Sequence, residues 1–454
     1  MFGKWLNTRG WFCGEHAKDV PPGWDHFQAV CTGDFFNQTY NINGKEVPTV
    51  GYQTSILGNA TVQFIKEAVQ ANERFFIYLA PHAPHIADSV YPFITQPAPW
   101  YDETILARNT SPRVPNWNVS GSDHHWLIEQ QPPLVPFEVD WSDSLFRARW
   151  RSLLSVDDMV GAIQKELETL GVWEDTGFIY EADHGYSLGS LRMVSGKWNV
   201  YENDVRIPFL MHGPGIPSGA RTDAIASNID VVPTVIDWMA GAANSSNDGR
   251  SLLPLTTDLA RRLEIRQSME AQGIQMDPSS GLVLPPALDF ARSASKVLAR
   301  DAPGGPGLSD SPGASLPLLP AGPMAPHETF LVEYWGLGTV LRGAPTSPTC
   351  NPRNGVCEPG CNCYFRLEDT PNNTYIAARR VNSTTNVMYV EFYENNQQNT
   401  FTEKPYFYEL YDLDTDPWQM TNLAVKPDAP KELMGELHDW IHQQIKCAGA
   451  SCQS

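Results

Sequence analysis

Imidazole and carboxylate side chains follow two short apolar runs of this sequence. His82 and His85 come directly after the run at 75–80, and Asp183 and His184 follow a second run further along the chain. In open α/β sheets, ligands bind beyond the carboxyl ends of the strands, so both places are expected to border a ligand site. A carboxylate beside an imidazole offers an oxygen and a nitrogen to one cation. The pattern predicts a metal site at Asp183 and His184.

Two lysines lie close to apolar runs. Lys4 stands almost at the beginning of the sequence, and Lys197 precedes a run at 207–211. Taken singly, each is interpreted as a solvated charge, because lysine side chains are mostly exposed.

Hydrophobic spacing predicts the elements that position these residues. Apolar residues at 62–69 and at 156–170 recur with helical spacing, and each helix is followed by a strand, at 75–80 and at 177–180. A third strand is predicted at 207–211. Alternating helices and buried strands favour an α/β fold with a largely parallel sheet covered by helices.

Composition suggests a division into three parts. The sequence has 454 residues, and residues 303–326 contain seven prolines and five glycines, a composition typical of segments without a packed core. We expect a catalytic domain at 1–262, a disordered insertion at 263–326 and a smaller α+β domain at 327–454. The last helix of this C-terminal domain has Asp428 as its candidate N-cap.

Charge and hydropathy exclude some partners. The 52 acidic residues exceed the 32 basic ones, so the formal charge is −20 and binding to nucleic acid is not expected. No apolar stretch is long enough to predict a membrane-spanning helix.

Cysteines and glycosylation motifs favour the secretory pathway. Six of the eight cysteines fall in the last quarter of the chain, where disulfides are favoured over a zinc site. Seven sequons predict glycans at Asn37, Asn59, Asn109, Asn118, Asn244, Asn372 and Asn382. A lysosomal or extracellular location is expected, yet residues 1–15 show no signal peptide, so the sequence is expected to start inside a longer protein.

An ordered series of motifs resembles the type I sulfatases. In the first part these are GKWLN (3–7), NINGK (41–45), PHAP (81–84), HWLI (125–128), LLSVDD (153–158), DHGY (183–186) and GPGI (213–216). In the second part they are VEY (332–334), the cysteine cluster, YDL (411–413), DP (416–417) and TNLA (421–424).

The resemblance implies an alkaline-phosphatase-like fold and hydrolysis of sulfate esters, with removal of 6-O-sulfate from N-acetylglucosamine units of glycosaminoglycans as the expected reaction. It further implies that Lys4 and Lys197 hold the sulfate and that His82 protonates the leaving oxygen. Asp183 and His184 would supply part of a Ca²⁺ site, and His125 would contact the substrate.

The sequence departs from the family in one respect. The Cys/Ser-x-Pro-x-Arg motif that supplies the family's formylglycine nucleophile is absent, as are two further acidic metal ligands. Negligible activity of this chain by itself is therefore expected. The alternatives are a sulfated-glycan-binding protein without catalysis and a phosphatase or phosphodiesterase of the same superfold.

Other polar patterns have simpler interpretations. Ser155 and Asp158 suggest a helix start, where acids suit the macrodipole. The carboxylates at 412, 414 and 416 lack the glycine and glutamate of a calcium-binding loop. His438 and His442 approach a zinc-protease pattern, but Asp replaces Glu, so surface histidines are favoured. By their types alone, residues 123–125 could contact substrate or metal, but a structural role in a loop is favoured.

Overall fold

The computed structural model describes most of the chain outside one long central segment. The described residues are 1–5, 19–31, 33–87, 94–222, 224–240, 247–255, 328–335, 369, 373–394, 401 and 404–453. The expected insertion at 263–326 lies outside them. The chain divides into two compact units: the first contains 1–176, 184–206 and 337–371, and the second contains 177–183, 207–336 and 372–454.

The described elements alternate between strands and helices in the first half and are mainly strands in the second. The strands are β1 (Phe2–Gly3), β2 (Gln28–Val30), β3 (Thr39–Ile42), β4 (Lys45–Pro48), β5 (Leu79–Ala80), β6 (Phe178–Glu181), β7 (Phe209–His212), β8 (Thr329–Tyr334), β9 (Thr374–Val381), β10 (Asn386–Tyr393) and β11 (Phe407–Asp412). The helices are α1 (Gln53–Gln70), α2 (Trp126–Glu129), α3 (Pro136–Thr169), α4 (Glu202–Val205), α5 (Val231–Ala240) and α6 (Lys431–Gln444).

The sheet of the first unit is mixed. Its order is β4-β3-β2-β1-β5, with β1 parallel to β2 and to β5, whereas β3 and β4 are joined as antiparallel neighbours. In the second unit β6 and β7 pair antiparallel, although both strands were expected in a largely parallel sheet. The α/β class is as expected, and the short link between β3 and β4 explains their antiparallel pairing, because parallel neighbours need a long crossover.

Helices α1 and α3 supply the predicted apolar faces of the first unit. Leu57 and Ile65 are buried on α1, and Met159 and Ile163 are buried on α3. Helix α3 ends before Gly171, whose φ of +70° suits a residue just beyond a helix C-terminus.

The expected helix start at Ser155 is wrong. Helix α3 begins at Pro136, where the Glu138 carboxylate accepts a hydrogen bond from the Val135 amide, and it continues through 155–158 without a break. The Asp158 carboxylate instead accepts a hydrogen bond of 2.7 Å from the Tyr101 hydroxyl. A capping pattern by itself predicts the start of a helix, but here it lies in the middle of α3. The buried residues upstream of 155 continue the apolar face, so the helix extends further towards the N-terminus.

The C-terminal part of the second unit is an antiparallel sheet of order β11-β10-β9-β8. The apolar face of α6 packs on it, with Leu437 and Ile441 fully buried. The helix begins at Lys431 with Pro430 at the N-cap position and no side-chain cap, so Asp428 is not the N-cap.

Only some of the cysteines and sequon asparagines lie among the described residues. Cys447 and Cys452 form a disulfide, and Cys31 is disulfide-bonded as well. Among the sequon asparagines, Asn37, Asn59 and Asn109 are exposed and Asn118 and Asn382 are half-buried. Asn244 and Asn372 lie outside the described residues, and glycosylation stays a prediction.

In the part of the chain that the structure describes, no helix combines the length and the apolar character needed to cross a membrane.

Candidate active site

Lys4 and His82 follow neighbouring parallel strands. The Lys4 amide, just after β1, donates a hydrogen bond of 2.7 Å to the carbonyl of Ala80, the last residue of β5. The strands approach closely because Gly3 has no side chain: a Cβ there would lie 2.1 Å from the Ala80 oxygen. The two residues therefore leave the sheet at the same edge, next to the strand end where the sequence predicted a ligand site after 75–80.

His82 and His85 form an imidazole pair in the loop after β5. Their ring centroids are 4.7 Å apart. The Ile86 carbonyl oxygen lies 3.1 Å from His82 Nε2 and 2.8 Å from His85 Nδ1. Because a carbonyl oxygen only accepts, both ring nitrogens that face it carry a proton. The Gln53 side chain accepts from the His82 amide and fixes the start of the loop.

Lys197 and His184 are directly hydrogen-bonded. The Lys197 Nζ lies 2.7 Å from His184 Nε2, and His184 Nδ1 lies 2.7 Å from the Gly185 carbonyl oxygen. An ammonium group only donates, so Nε2 is the acceptor and Nδ1 carries the proton. The lone pair that would bind a metal through Nε2 is therefore engaged by Lys197.

The buried Asp204 carboxylate holds the loop that carries Lys197. It accepts hydrogen bonds from the Ser187 hydroxyl and from the Asn199 amide, two residues beyond Lys197. The Gly185 amide donates to the Asp204 carbonyl at 2.7 Å. One residue of α4 thus fixes both ends of the segment between His184 and Lys197.

A single apolar cluster supports the histidine loop and the lysine loop. Its buried members are Leu134, Trp141, Leu145 and Val194. Ile86 from the first loop and Tyr186 from the second pack against this cluster. Residues about 100 positions apart in the sequence are held together by it.

His85 experiences the charges of three predicted site residues. Burial, followed by His82 and then Lys197 and Lys4, lowers the pKa of His85 to about 3, although the hydrogen bond to Ile86 opposes this shift. The charges of Lys4, His82 and Lys197 thus all act on His85 within the first unit. His85 itself was noted in the sequence but given no role.

We expect the His85 imidazole to remain neutral throughout the range from pH 8 to about pH 4. Because the imidazole of an unfolded chain has a pKa near ~6.5, the unfolded state binds this proton first as the pH falls. His85 therefore lowers the stability of the fold as the pH falls from about 6.5 towards 3. NMR of the ¹³C-histidine-labelled chain, assigned with His85→Gln, measures the titration.

The matched variants for this titration are Lys197→Ala, which should raise the pKa of His85, and Lys165→Ala, which should not, since Lys165 is exposed on α3. A His85 midpoint between pH 6 and 7 in the unaltered chain would contradict the arrangement.

Asp183 belongs to the second unit and is exposed after β6. Burial, and then the charge of Asp183, raises the pKa of Glu181 at the end of the same strand. Glu181 was not identified from the sequence, although it lies two residues before Asp183.

His125, the expected substrate contact, is 1% exposed and stands just before α2. Burial, and then the neighbouring His124, holds the pKa of His125 well below its usual range. His124 in turn lies 3.1 Å from the Asp123 carboxylate. A direct substrate contact stays a prediction, and the burial of His125 does not support it.

The sheet with its covering helices and the polar residues at its strand ends define an alkaline-phosphatase-like hydrolase. The chain belongs to the sulfatase family, whose model matches residues 2–242, more than half of the sequence. It is a sulfuric ester hydrolase by family.

Similar curated proteins carry the same family name. The chain is 30% identical over 462 residues to human N-acetylglucosamine-6-sulfatase, with all of this chain and 68% of that protein covered. It is 30% identical over 279 residues to the extracellular sulfatase SULF-1 homologue of Drosophila melanogaster, with 59% of this chain and 23% of that protein covered.

Solved structures share the fold at low identity. One, described as a complex with its substrate D-glucosamine-2-N,6-O-disulfate, has a TM-score of 0.54 and 18% identity and covers 98% of this chain and 78% of that one. The phosphonate monoester hydrolase of Silicibacter pomeroyi has a TM-score of 0.52 and 17% identity and covers 88% of this chain and 61% of that one.

Proposed function

We propose that this chain recognises sulfated N-acetylglucosamine and that its reaction is the removal of the 6-O-sulfate from glycosaminoglycans. The observation that carries the proposal is geometric: the Lys4 amide is bonded to Ala80 just before the His82 loop, and this loop and the loop that carries Lys197 pack on one apolar cluster. The similarity to human N-acetylglucosamine-6-sulfatase supports the choice of sugar. The proposed partner is thus an acidic sugar bound locally by two lysines, despite the formal charge of −20.

The proposed roles follow from charge and proton position. A sulfate monoester carries one negative charge on its free oxygens, and the ammonium groups of Lys4 and Lys197 would bind them. The imidazole of His82 would donate a proton to the leaving sugar oxygen. The proton on His82 Nε2 faces the Ile86 carbonyl, so this bond must open when substrate binds.

His184 is proposed to position Lys197. Its Nε2 accepts from the lysine ammonium and its Nδ1 proton is held by Gly185. This arrangement keeps the lysine in one orientation without a direct role in bond breaking.

Members of this family bind a divalent metal. A Ca²⁺ ion takes about six to eight oxygen ligands. The exposed Asp183 carboxylate fits such an ion, but His184 does not, because its Nε2 is engaged by Lys197. The expected Ca²⁺ site therefore requires further oxygen donors in addition to Asp183. None of the proposed residue roles depends on this ion.

A lysosomal or extracellular location is part of the proposal, because the SULF-1 homologue is named as an extracellular sulfatase. Residues 1–262, 263–326 and 327–454 are proposed as catalytic domain, insertion and C-terminal subdomain.

We expect the purified 454-residue chain to bind N-acetylglucosamine 6-sulfate while releasing sulfate at a negligible rate. The sequence contains the proposed sulfate-binding lysines but no Cys/Ser-x-Pro-x-Arg nucleophile motif. Calorimetry with the 6-sulfated sugar and with unsulfated N-acetylglucosamine measures binding, and ion chromatography of released sulfate measures turnover.

Three outcomes separate the candidates. Selective binding without turnover supports the proposed substrate and agrees with a glycan-binding protein for the chain by itself. Turnover at the rate of an intact family member would refute the expected inactivity. Tighter binding of a phosphate or phosphonate monoester would favour the phosphatase alternative, which shares this fold.

A further inference from the structure

A buried carboxylate on β10 is surrounded by four polar side chains. Glu391 has no exposed surface, and its Oε1 accepts a hydrogen bond of 2.8 Å from the Tyr389 hydroxyl, while Oε2 accepts one of 2.5 Å from Tyr393. His438 Nδ1 lies 2.6 Å from Oε1, and His442 Nε2 lies 3.2 Å from Oε2. The cluster lies wholly within the second unit.

The two histidines are presented by one face of α6. They are four residues apart, so they lie one above the other on the helix, and their ring centroids are 4.3 Å apart. The buried Leu437 and Ile441 hold the helix on the sheet. The expectation that His438 and His442 are ordinary surface histidines is therefore wrong: each places a ring nitrogen against a fully buried carboxylate, although 42% of one side chain and 25% of the other is exposed.

A carboxylate as deeply buried as Glu391 needs a compensating positive charge, because removing an ion from water costs several kcal/mol even after relaxation. Tyrosine hydroxyls supply hydrogen bonds but no charge. Because a carboxylate only accepts, the ring nitrogens of His438 and His442 that face it carry protons in the metal-free cluster. A bound metal ion would displace these protons, and imidazole is the commonest metal ligand in proteins. A divalent cation between the three groups would supply the charge.

We propose that Glu391, His438 and His442 form a zinc site that joins α6 to β10. The ligand atoms of the three residues lie within 4.8 Å of one another, a span that one ion can bridge with small side-chain movements at bond lengths of about 2.0–2.2 Å. Two imidazoles and one carboxylate are a donor set that Zn²⁺ favours.

The surroundings of the site support this assignment. The hydroxyls of Tyr389 and Tyr393 each orient one carboxylate oxygen, as partners of metal ligands do in known sites. A surface cavity of about 310 Å³ adjoins His438 and provides room for water as a fourth ligand. The exposed edges of the histidines let an ion enter from solvent. This inference does not depend on the proposed sulfatase reaction.

Cobalt(II) tests the site, because it replaces Zn²⁺ in tetrahedral sites and gives visible absorption bands. We expect the chelator-treated full chain to bind one Co²⁺ with bands typical of tetrahedral coordination, and added Zn²⁺ to abolish them. His438→Gln and His442→Gln should each weaken this binding by at least tenfold, and Zn²⁺ should raise the Tm of the unaltered chain but not of these variants.

Two controls locate the ion. Gln443→Ala changes an exposed residue beside His442 and should leave the cobalt spectrum unchanged. Asp183→Asn should also leave it unchanged, which distinguishes this site from the metal site of the sulfatase reaction. Absence of tetrahedral bands in the unaltered chain, or binding in both histidine variants that equals that of the unaltered chain, would overturn the proposal and leave a metal-free hydrogen-bonded cluster.

Discussion

Replacing Lys197 with alanine is expected to weaken the binding of N-acetylglucosamine 6-sulfate by about 10- to 150-fold. The substitution removes the charged hydrogen bond to the sulfate that the proposed function requires, and such bonds contribute about 1.5–3 kcal/mol. It also removes the donor that His184 Nε2 accepts from, so that imidazole loses its fixed orientation. Calorimetric titration of the sugar into the purified chain measures the loss.

Two further lysine variants make this result specific. Lys165→Ala removes an equal charge from the exposed face of α3 and should leave the affinity unchanged. Lys197→Arg keeps the charge but changes the shape of the donor, so we expect an intermediate affinity. Equal affinities for Lys197→Ala and Lys165→Ala would mean that Lys197 does not contact the sulfate.

Replacing Trp141 with alanine is expected to lower the free energy of unfolding of the first unit by about 3–5 kcal/mol. Trp141 is 5% exposed, and loss of a buried tryptophan combines lost hydrophobic transfer with a residual cavity. The same cluster supports Ile86 and Tyr186, so sulfate binding should weaken together with stability. Urea denaturation followed by circular dichroism measures the first effect, and sugar titration measures the second.

Trp150→Ala is the matched control on the same helix. Trp150 is 40% exposed and its ring contacts Phe146, so its loss should cost much less than the loss of Trp141. If both variants lose the same stability, the Trp141 cluster does not support the two loops. If Trp141→Ala loses stability but keeps full affinity, the loops are held by other contacts, such as those of Asp204.

Local sequence was sufficient for much of the site because strand ends are encoded locally. The apolar run before His82 predicted that this histidine follows a strand, and β5 ends at Ala80, two residues before it. The position of Lys4 beside it was not predicted from the residues and is shown by the amide bond to Ala80. The helical spacing of α1 and α3 was predicted equally well. The start of α3 was not, because a capping pattern does not show whether a helix already precedes it.

Side-chain contacts between residues far apart in the chain could not be predicted from local sequence. Glu391 is an ordinary strand residue by sequence, and only the packing of α6 on the sheet brings His438 and His442 to it. The engagement of His184 by Lys197 likewise depends on a loop that is closed by Asp204.

The sequence by itself determined the family and the α/β class and named Lys4, His82 and Lys197 as candidates, because short motifs and hydrophobic periodicity are properties of neighbouring residues. Only the tertiary structure decided the protonation of His85, the orientation of Lys197 and the three-residue cluster at Glu391. These depend on burial and on donors that lie far apart in the chain, and burial is a property of the packed fold.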